Sequence, residues 1–514
     1  MNLNNIDRVS NARICIPLSA KTFGELERLA ERAVSVADMI EFRLDCLDEQ
    51  ELINAHENIR RVIQRLSVPV IITFRPSEEG GYRDISLEQR RQFWERLEPV
   101  NAFFDIEEDL CSSREFGLTQ DWSRVICSHH DFGEVPQQID DLYERLAATR
   151  AGILKIAGYA NDTAECLSIF KLLSRAANER RKLIALAMGD GGVCTRILGP
   201  SLGSFVTYAT LEEGTGTAPG QVTAERMKSV FRISEINRHT NIFGLIGSPV
   251  MHSISPDIHN AAFEANGIDA VYLPFEVKDL RSFMNRMVHP SSRELDWPLM
   301  GLSVTAPHKL DVMQYLDSVE PLAQEIGAVN TVVVDGEAMR GYNTDVVGFI
   351  EPLSAAIDLK PGLRVAVLGA GGAANAAVWS LKQKEAEVVL FARDVHKGRS
   401  LAQRFDASCE SLNSASFAEF DVVINATPLG SSGARANETA AIADQLRGVR
   451  LAYDLVYNPI ETRFMREAKD AGCKTLGGLD MLVAQAKLQF KLWTGRDAPA
   501  SVMREAALRG LTQV

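Results

Sequence analysis

Lys155 stands between Leu154 and Ile156 in a short apolar run, GILKIA. A lysine in such a run either snorkels from an edge strand to water or lies where burial disfavours its charge. In the second case a neutral amine can attack a carbonyl and form a Schiff base. Its companions favour the second reading. Other apolar runs end in EFRLD, with Glu41 and Arg43 two apart and so on one strand face, and in TFRPSEEGGY, with Arg75 and Glu79. Further runs lead into ICSHHDF with His130, MGDGGVCTRILG with Arg196, and EEGTGTAPGQ with Thr217 and Gln221. An imidazole beside an imine titrates near neutral pH and can move the α-proton that the imine acidifies. Buried arginines need an anion, so a carboxylated substrate fits. His129 would face away from His130 in a strand and is read as a residue that supports the site from behind or as structural.

These groups can meet only if strand ends converge. Eight apolar runs (13–18, 39–44, 68–74, 102–106, 125–128, 153–156, 183–188 and 205–208) alternate with amphipathic stretches such as 23–36 and 87–97. That pattern predicts a (β/α)8 TIM barrel, with its chemistry at the C-terminal ends of the strands. An open doubly wound sheet is the structural rival. Residues 222–238, VTAERMKSVFRISEINR, read as a closing helix, and a boundary falls near residue 240.

The second half carries a different set. GAGGAA (Gly369, Ala370, Gly371, Gly372, Ala373, Ala374) follows the strand-like VAVL and opens a helix, as a Rossmann pyrophosphate loop does. The next strand ends in LFARDVHKG. A reader of the ribose 2′-hydroxyl would place an acid at that tip. Arg393 and Lys397 instead fit a 2′-phosphate, hence NADP(H), although Asp394 adjoins Arg393. Ahead of this region lie GSPVMHSISPDIHNAAF, GLSVTAPHK, GAVNT and GYNTD, and behind it GGLDMLVAQAKLQF. A plain surface ion pair is the bland reading of Lys309 and Asp345.

In their order and spacing, EFRLD, TFR…EGG, SHHDF, LKIA, MG…TR and TAPGQ resemble the type I 3-dehydroquinate dehydratases over most of residues 11–235. The resemblance implies that Lys155 forms an imine with the ketone of 3-dehydroquinate, with His130 as general base and acid and Glu79 supporting it. It further implies that Arg196 holds the carboxylate, while Glu41, Arg43, Arg75, Thr217 and Gln221 hold hydroxyls and order the site. Thr217 stands where that family commonly has serine. Residues 242–510 are similar to the shikimate dehydrogenases. This implies Lys309 and Asp345 as the catalytic pair, Ser253 and Ser255 on the substrate carboxylate, and Thr305, Asn330 and Gln485 on ring hydroxyls. Asn425, Thr427 and Gly478 would lie beside the cofactor. Ser303, Ala392 and Asp480 depart from that family's asparagine, asparagine and glycine.

The expected organisation is a barrel over 1–238, a substrate-binding domain over 239–350 rejoined by 479–514, and a Rossmann NADP-binding domain over 351–478. The expected function is dehydration of 3-dehydroquinate to 3-dehydroshikimate and its reduction to shikimate by NADPH. The alternatives are a quinate/shikimate dehydrogenase in the second half, or a non-catalytic relic in one half. The net charge of −13 argues against nucleic-acid or anionic-membrane partners. Eight scattered cysteines without Cys-x-x-Cys, and an N-terminus without an apolar signal core, point to the cytoplasm and to no metal site.

Overall fold

The computed structural model describes residues 12–412 and 416–513. Most of the N-terminal segment read above as lacking a leader lies outside the described residues. The chain divides into two compact units. Of the described residues, the first comprises those up to Ile242 with Pro249–Met251 and Leu273–Pro298, and the second holds the others. The first unit thus takes in a stretch that the sequence reading assigns to the substrate-binding domain.

The first unit contains the eight parallel strands β1 (Ile14–Ser19), β2 (Met39–Arg43), β3 (Val70–Thr73), β4 (Phe103–Glu107), β5 (Val125–His130), β6 (Ile153–Tyr159), β7 (Leu183–Met188) and β8 (Thr207–Tyr208). Their order around the sheet is β7-β6-β5-β4-β3-β2-β1-β8. Phe205 N donates to Leu183 O at 2.8 Å and joins the last segment to β7, so the sheet curls into a barrel. β7 is buried at every position, as expected of a parallel strand covered on both faces. Helices fill the crossovers. Phe23–Ala33 starts where Thr22 accepts a hydrogen bond from Glu25 N, and it buries Phe23, Leu26, Ala30 and Ala33. The capping box of Ser86 and Gln89 starts Leu87–Arg96.

The expected closing helix over 222–238 is shorter. Only Ala224–Ser229 is helical, and Arg232 adopts φ +47°, a left-handed conformation that a helix does not accommodate.

The second half holds two six-stranded sheets. One runs Ala270–Glu276, Asn241–Gly247, Leu299–Val304, Thr331–Asp335, Ala338–Tyr342, Ser318–Val319. The other is wholly parallel and runs Ser408–Ser411, Glu387–Ala392, Arg364–Leu368, Val422–Asn425, Leu451–Asp454, Lys474–Leu476. The sequence reading omits the short strands at Ser318–Val319, Ala338–Tyr342, Ser408–Ser411 and Lys474–Leu476. Three of these are edge strands with weak apolar patterning. Among the described residues no helix is long and apolar enough to cross a membrane, and no His/Cys/Asp/Glu cluster could hold a metal ion.

Candidate active sites

The barrel's strand ends surround one small cavity. Glu41, Arg43, Arg75, Glu79, His130, Lys155, Arg196, Thr217 and Gln221 all line it, so every barrel residue singled out from sequence reaches the same space. The pleat explains the convergence. Glu41 and Arg43 on β2, His130 on β5 and Lys155 on β6 are inward positions of their strands.

Lys155 is buried and donates to Asp105 at 2.7 Å. Asp105, on β4, also accepts from Arg75 at 2.5 Å. Burial alone would push Asp105 up, but Arg75 and then Lys155 outweigh it and hold the carboxyl well below the usual range. The sequence reading did not name this anion. Alternation in FFDIE, which puts Asp105 and Glu107 on one face, is the signal that could have found it. Arg75 is also engaged within the protein: besides Asp105 it reaches Glu107 at 3.5 Å and His130 at 2.9 Å.

A guanidinium can only donate, so His130 Nε2 accepts from Arg75 and Nδ1 carries the proton, which it gives to Glu79 Oε2 at 3.1 Å. Burial and the charges of Arg75 and Lys155 hold the imidazole well below its ordinary value, so it is neutral at pH 7, the form a general base needs. Glu79 Oε2 also accepts from the backbone of His130. Burial, then the Glu107 carboxylate, pushes Glu79 up to about 8.

A carboxyl whose folded pKa lies above its unfolded value contributes stability at low pH and loses it as pH rises, here from about 4.5 to about 8. Glu79→Gln should therefore melt higher than the wild type at pH 9 and no higher at pH 5. An advantage that does not grow with pH in thermal melts contradicts the assignment.

In the second unit Lys309 Nζ donates to Asp345 Oδ2 at 2.6 Å, and Asn330 Nδ2 donates to Asp345 Oδ1 at 2.7 Å. Asp345 opens the helix Asp345–Ala356, and Thr344 N holds Asn330 through its Oδ1 at 2.8 Å. Ser253 and Ser255 share a hydroxyl hydrogen bond of 3.1 Å. Thr344 Oγ1 reaches Gln485 at 3.5 Å. Thr305 sits at the end of Leu299–Val304, tied by its N–H to Ile246 O. Ser303 donates to Gln489 at 3.1 Å, and Gln489 donates to Thr331. Gln489, one turn beyond Gln485, is a neighbour the sequence reading did not name.

The glycine loop lies beside this pair, since a Cβ on Gly372 would stand 3.8 Å from Lys309 Cδ. Gly369 has φ +112° and opens the turn, and the helix Gly372–Lys382 follows. Ala373 and Thr427 line a cavity with His252 and Tyr457. Asn425 is fully buried and shapes the loop instead, donating to Asp454 and accepting from Thr427. A Cβ on Gly478 would meet Leu455 O at 2.5 Å, so only glycine fits there.

Asp394, the acid beside Arg393, is consumed as the cap of Val395–Arg404, accepting from His396 N and Lys397 N. Both cap bonds fall on its Oδ1. Arg393 and Lys397 are exposed and have no ion partner among the described residues. This donor set fits a 2′-phosphate, next to an open helix N-terminus for a pyrophosphate.

The barrel with its buried lysine, and the second unit with its Lys–Asp pair beside a dinucleotide-binding glycine loop, define a chain carrying two enzyme sites of different chemistry. A family model described as type I 3-dehydroquinase matches residues 14–238. Models described as the shikimate dehydrogenase substrate binding domain and the shikimate 5′-dehydrogenase C-terminal domain match 245–332 and 478–508. The chain is 33% identical over 528 residues to the chloroplastic bifunctional 3-dehydroquinate dehydratase/shikimate dehydrogenase of Arabidopsis thaliana, covering 97% of this chain and 85% of that one. It is 40% identical over 286 residues to the shikimate dehydrogenase (NADP(+)) of Moorella thermoacetica, covering 52% of this chain and 93% of that one. A crystal structure of shikimate dehydrogenase in complex with NADP+ superposes with a TM-score of 0.50 at 36% identity, over 54% of this chain and 97% of that one. The chain belongs to the family of bifunctional 3-dehydroquinate dehydratase/shikimate dehydrogenases.

Proposed function

We propose that Lys155, His130 and Glu79 carry a dehydration in the barrel, and that Lys309 and Asp345 carry the proton of a carbonyl reduction in the second unit. The chain is a bifunctional shikimate-pathway enzyme, a 3-dehydroquinate dehydratase and an NADP-dependent shikimate dehydrogenase. We assign the first activity to 1–238 and the second to 239–350 with 479–514 as substrate-binding domain and 351–478 as NADP-binding domain.

In the barrel, Lys155 Nζ adds to the ketone of 3-dehydroquinate and water leaves, forming an imine. His130 removes the acidified α-proton and returns a proton to the departing hydroxyl. Hydrolysis of the imine releases 3-dehydroshikimate and restores the amine. Arg196, buried and without a carboxylate partner among the described residues, takes the substrate carboxylate. Glu41, Arg43, Thr217 and Gln221 orient the ring. The observation that carries this reading is the buried Lys155, reaching the same cavity as His130 and Arg196.

In the second unit bound NADPH supplies the hydride. Lys309, held by Asp345, delivers the proton to the carbonyl oxygen as it becomes a hydroxyl. Ser253 and Ser255 bind the carboxylate of 3-dehydroshikimate, and Thr305, Asn330 and Gln485 bind its hydroxyls. Both serines favour shikimate over quinate as the product class.

Borohydride reduction in the presence of 3-dehydroquinate, followed by mass spectrometry, should place an adduct on Lys155. The same preparation should reduce 3-dehydroshikimate with NADPH. A chain that does neither is a relic. At the other end of the cofactor, Arg393→Ala should raise KM for NADPH about tenfold, the worth of one charge-assisted hydrogen bond. KM for NADH should stay unchanged, and an equal rise for both would place the 2′-phosphate elsewhere. We propose a cytoplasmic location from the scattered cysteines without Cys-x-x-Cys in the sequence.

A further inference from the structure

The barrel cavity contains a group that the dehydration as derived above does not use. Tyr208, on β8, lines it together with Lys155, His130 and Arg196. Its side chain is 4% exposed, and its hydroxyl has no hydrogen-bond partner among the described residues. A buried phenol without a partner is costly, because the hydroxyl gives up water for nothing. Arg196 shares the predicament. It is 1% exposed, one Nη donates to the Pro219 carbonyl at 3.3 Å, and its Nε is unpartnered. Two unsatisfied donors, one of them cationic, therefore border the same small cavity.

We propose that Tyr208 is a substrate-binding residue of the dehydratase site, its hydroxyl joining Arg196 in holding the carboxylate of 3-dehydroquinate. The proposal rests on the dehydratase reading and deepens it. A single anion with two oxygens satisfies both orphaned donors, which no neutral ring hydroxyl does as well. The phenol is suited to this part. Burial, then the Glu41 carboxylate, holds it far above its ordinary value, so it stays protonated and can donate. The ring has a separate contact: Lys155 Nζ lies 4.5 Å from its centroid. That cation–π contact places the amine by the ring face and survives replacement by phenylalanine. Removing the hydroxyl therefore isolates the carboxylate contact from the position of the lysine.

The test compares wild type with Tyr208→Phe on 3-dehydroquinate and on its methyl ester, which lacks the charge. In the variant, KM for the acid should rise about ten- to a hundredfold, as for a lost hydrogen bond to an ion, with kcat within about threefold. KM for the ester should change little, so the acid-over-ester preference narrows. Shikimate oxidation by NADP on the same preparation should be unchanged, and the borohydride adduct on Lys155 should still form. An unaltered acid-over-ester preference overturns the proposal, whether KM stays put or rises equally for both compounds. So does a fall in kcat alone, which would make Tyr208 a positioning residue for Lys155. If wild type itself forms no Lys155 adduct, the dehydratase reading fails first, and the proposal with it.

Discussion

Lys155→Ala is expected to lower kcat/KM for 3-dehydroquinate by on the order of 10⁴-fold or more, while shikimate oxidation by the same chain stays within about twofold. The size follows from covalent catalysis. Without an amine no imine forms, the α-carbon keeps its ketone-like acidity, and His130 must abstract a proton that has lost its electron sink. The selectivity follows from the two sites being built on separate strands and separate lysines. Lys155→Arg sharpens the test. It keeps a cation near Asp105 and the Tyr208 ring, but a guanidinium is not a nucleophile at neutral pH. The arginine variant should therefore be as inactive as alanine and show no borohydride adduct. Steady-state dehydration assays on both variants decide the matter. Retention of even a tenth of the wild-type rate would remove the Schiff base from the mechanism. The fold should survive either change, because Asp105 retains Arg75 at 2.5 Å as counter-ion.

The second large effect is expected at the hydride site. Lys309→Ala should lower kcat for shikimate oxidation by about 10²- to 10⁴-fold, the range for loss of a positioned proton-transfer group. Dehydration in the barrel should be unaffected. Asp345→Asn should fall in the same range for a related reason. Its carboxylate accepts from Lys309 at 2.6 Å and from Asn330 at 2.7 Å, so it both orients the ammonium and fixes the loop that presents it. The double variant should cost little more than either single one, as expected of groups acting as a unit. Full additivity of the two losses in initial-rate measurements would mean that the residues act separately. Binding of NADP by fluorescence titration should be near wild type in all three, since we propose that Arg393 and Lys397, not this pair, read the 2′-phosphate.

Much of both sites is legible in the linear sequence because parallel α/β folds place chemistry at strand ends. Short apolar runs mark the strands, and the first polar residues after them mark the site. Nine barrel residues named on that ground share one cavity, and the start of the Rossmann helix follows from its glycines. Where the reading failed, the missing information was about partners. Asp394 read as a conflict with a phosphate site, yet it caps a helix. Residues 222–238 read as one helix because their apolar spacing is helical. The left-handed Arg232 ends it, and no local pattern announces that.

By itself the order of residues determined the classes of element, the two glycine- and lysine-centred sites and their chemistry. These depend on side-chain type and on a spacing of two or of 3.6, which are local properties. Only the tertiary structure decided which charges face one another. It put Asp105 between Lys155 and Arg75, left Tyr208 and Arg196 without partners in the same cavity, and paired Ser303 with Gln489, 186 positions away. Electrostatic energy depends on distance in space and on water excluded by burial, and neither is a function of separation along the chain.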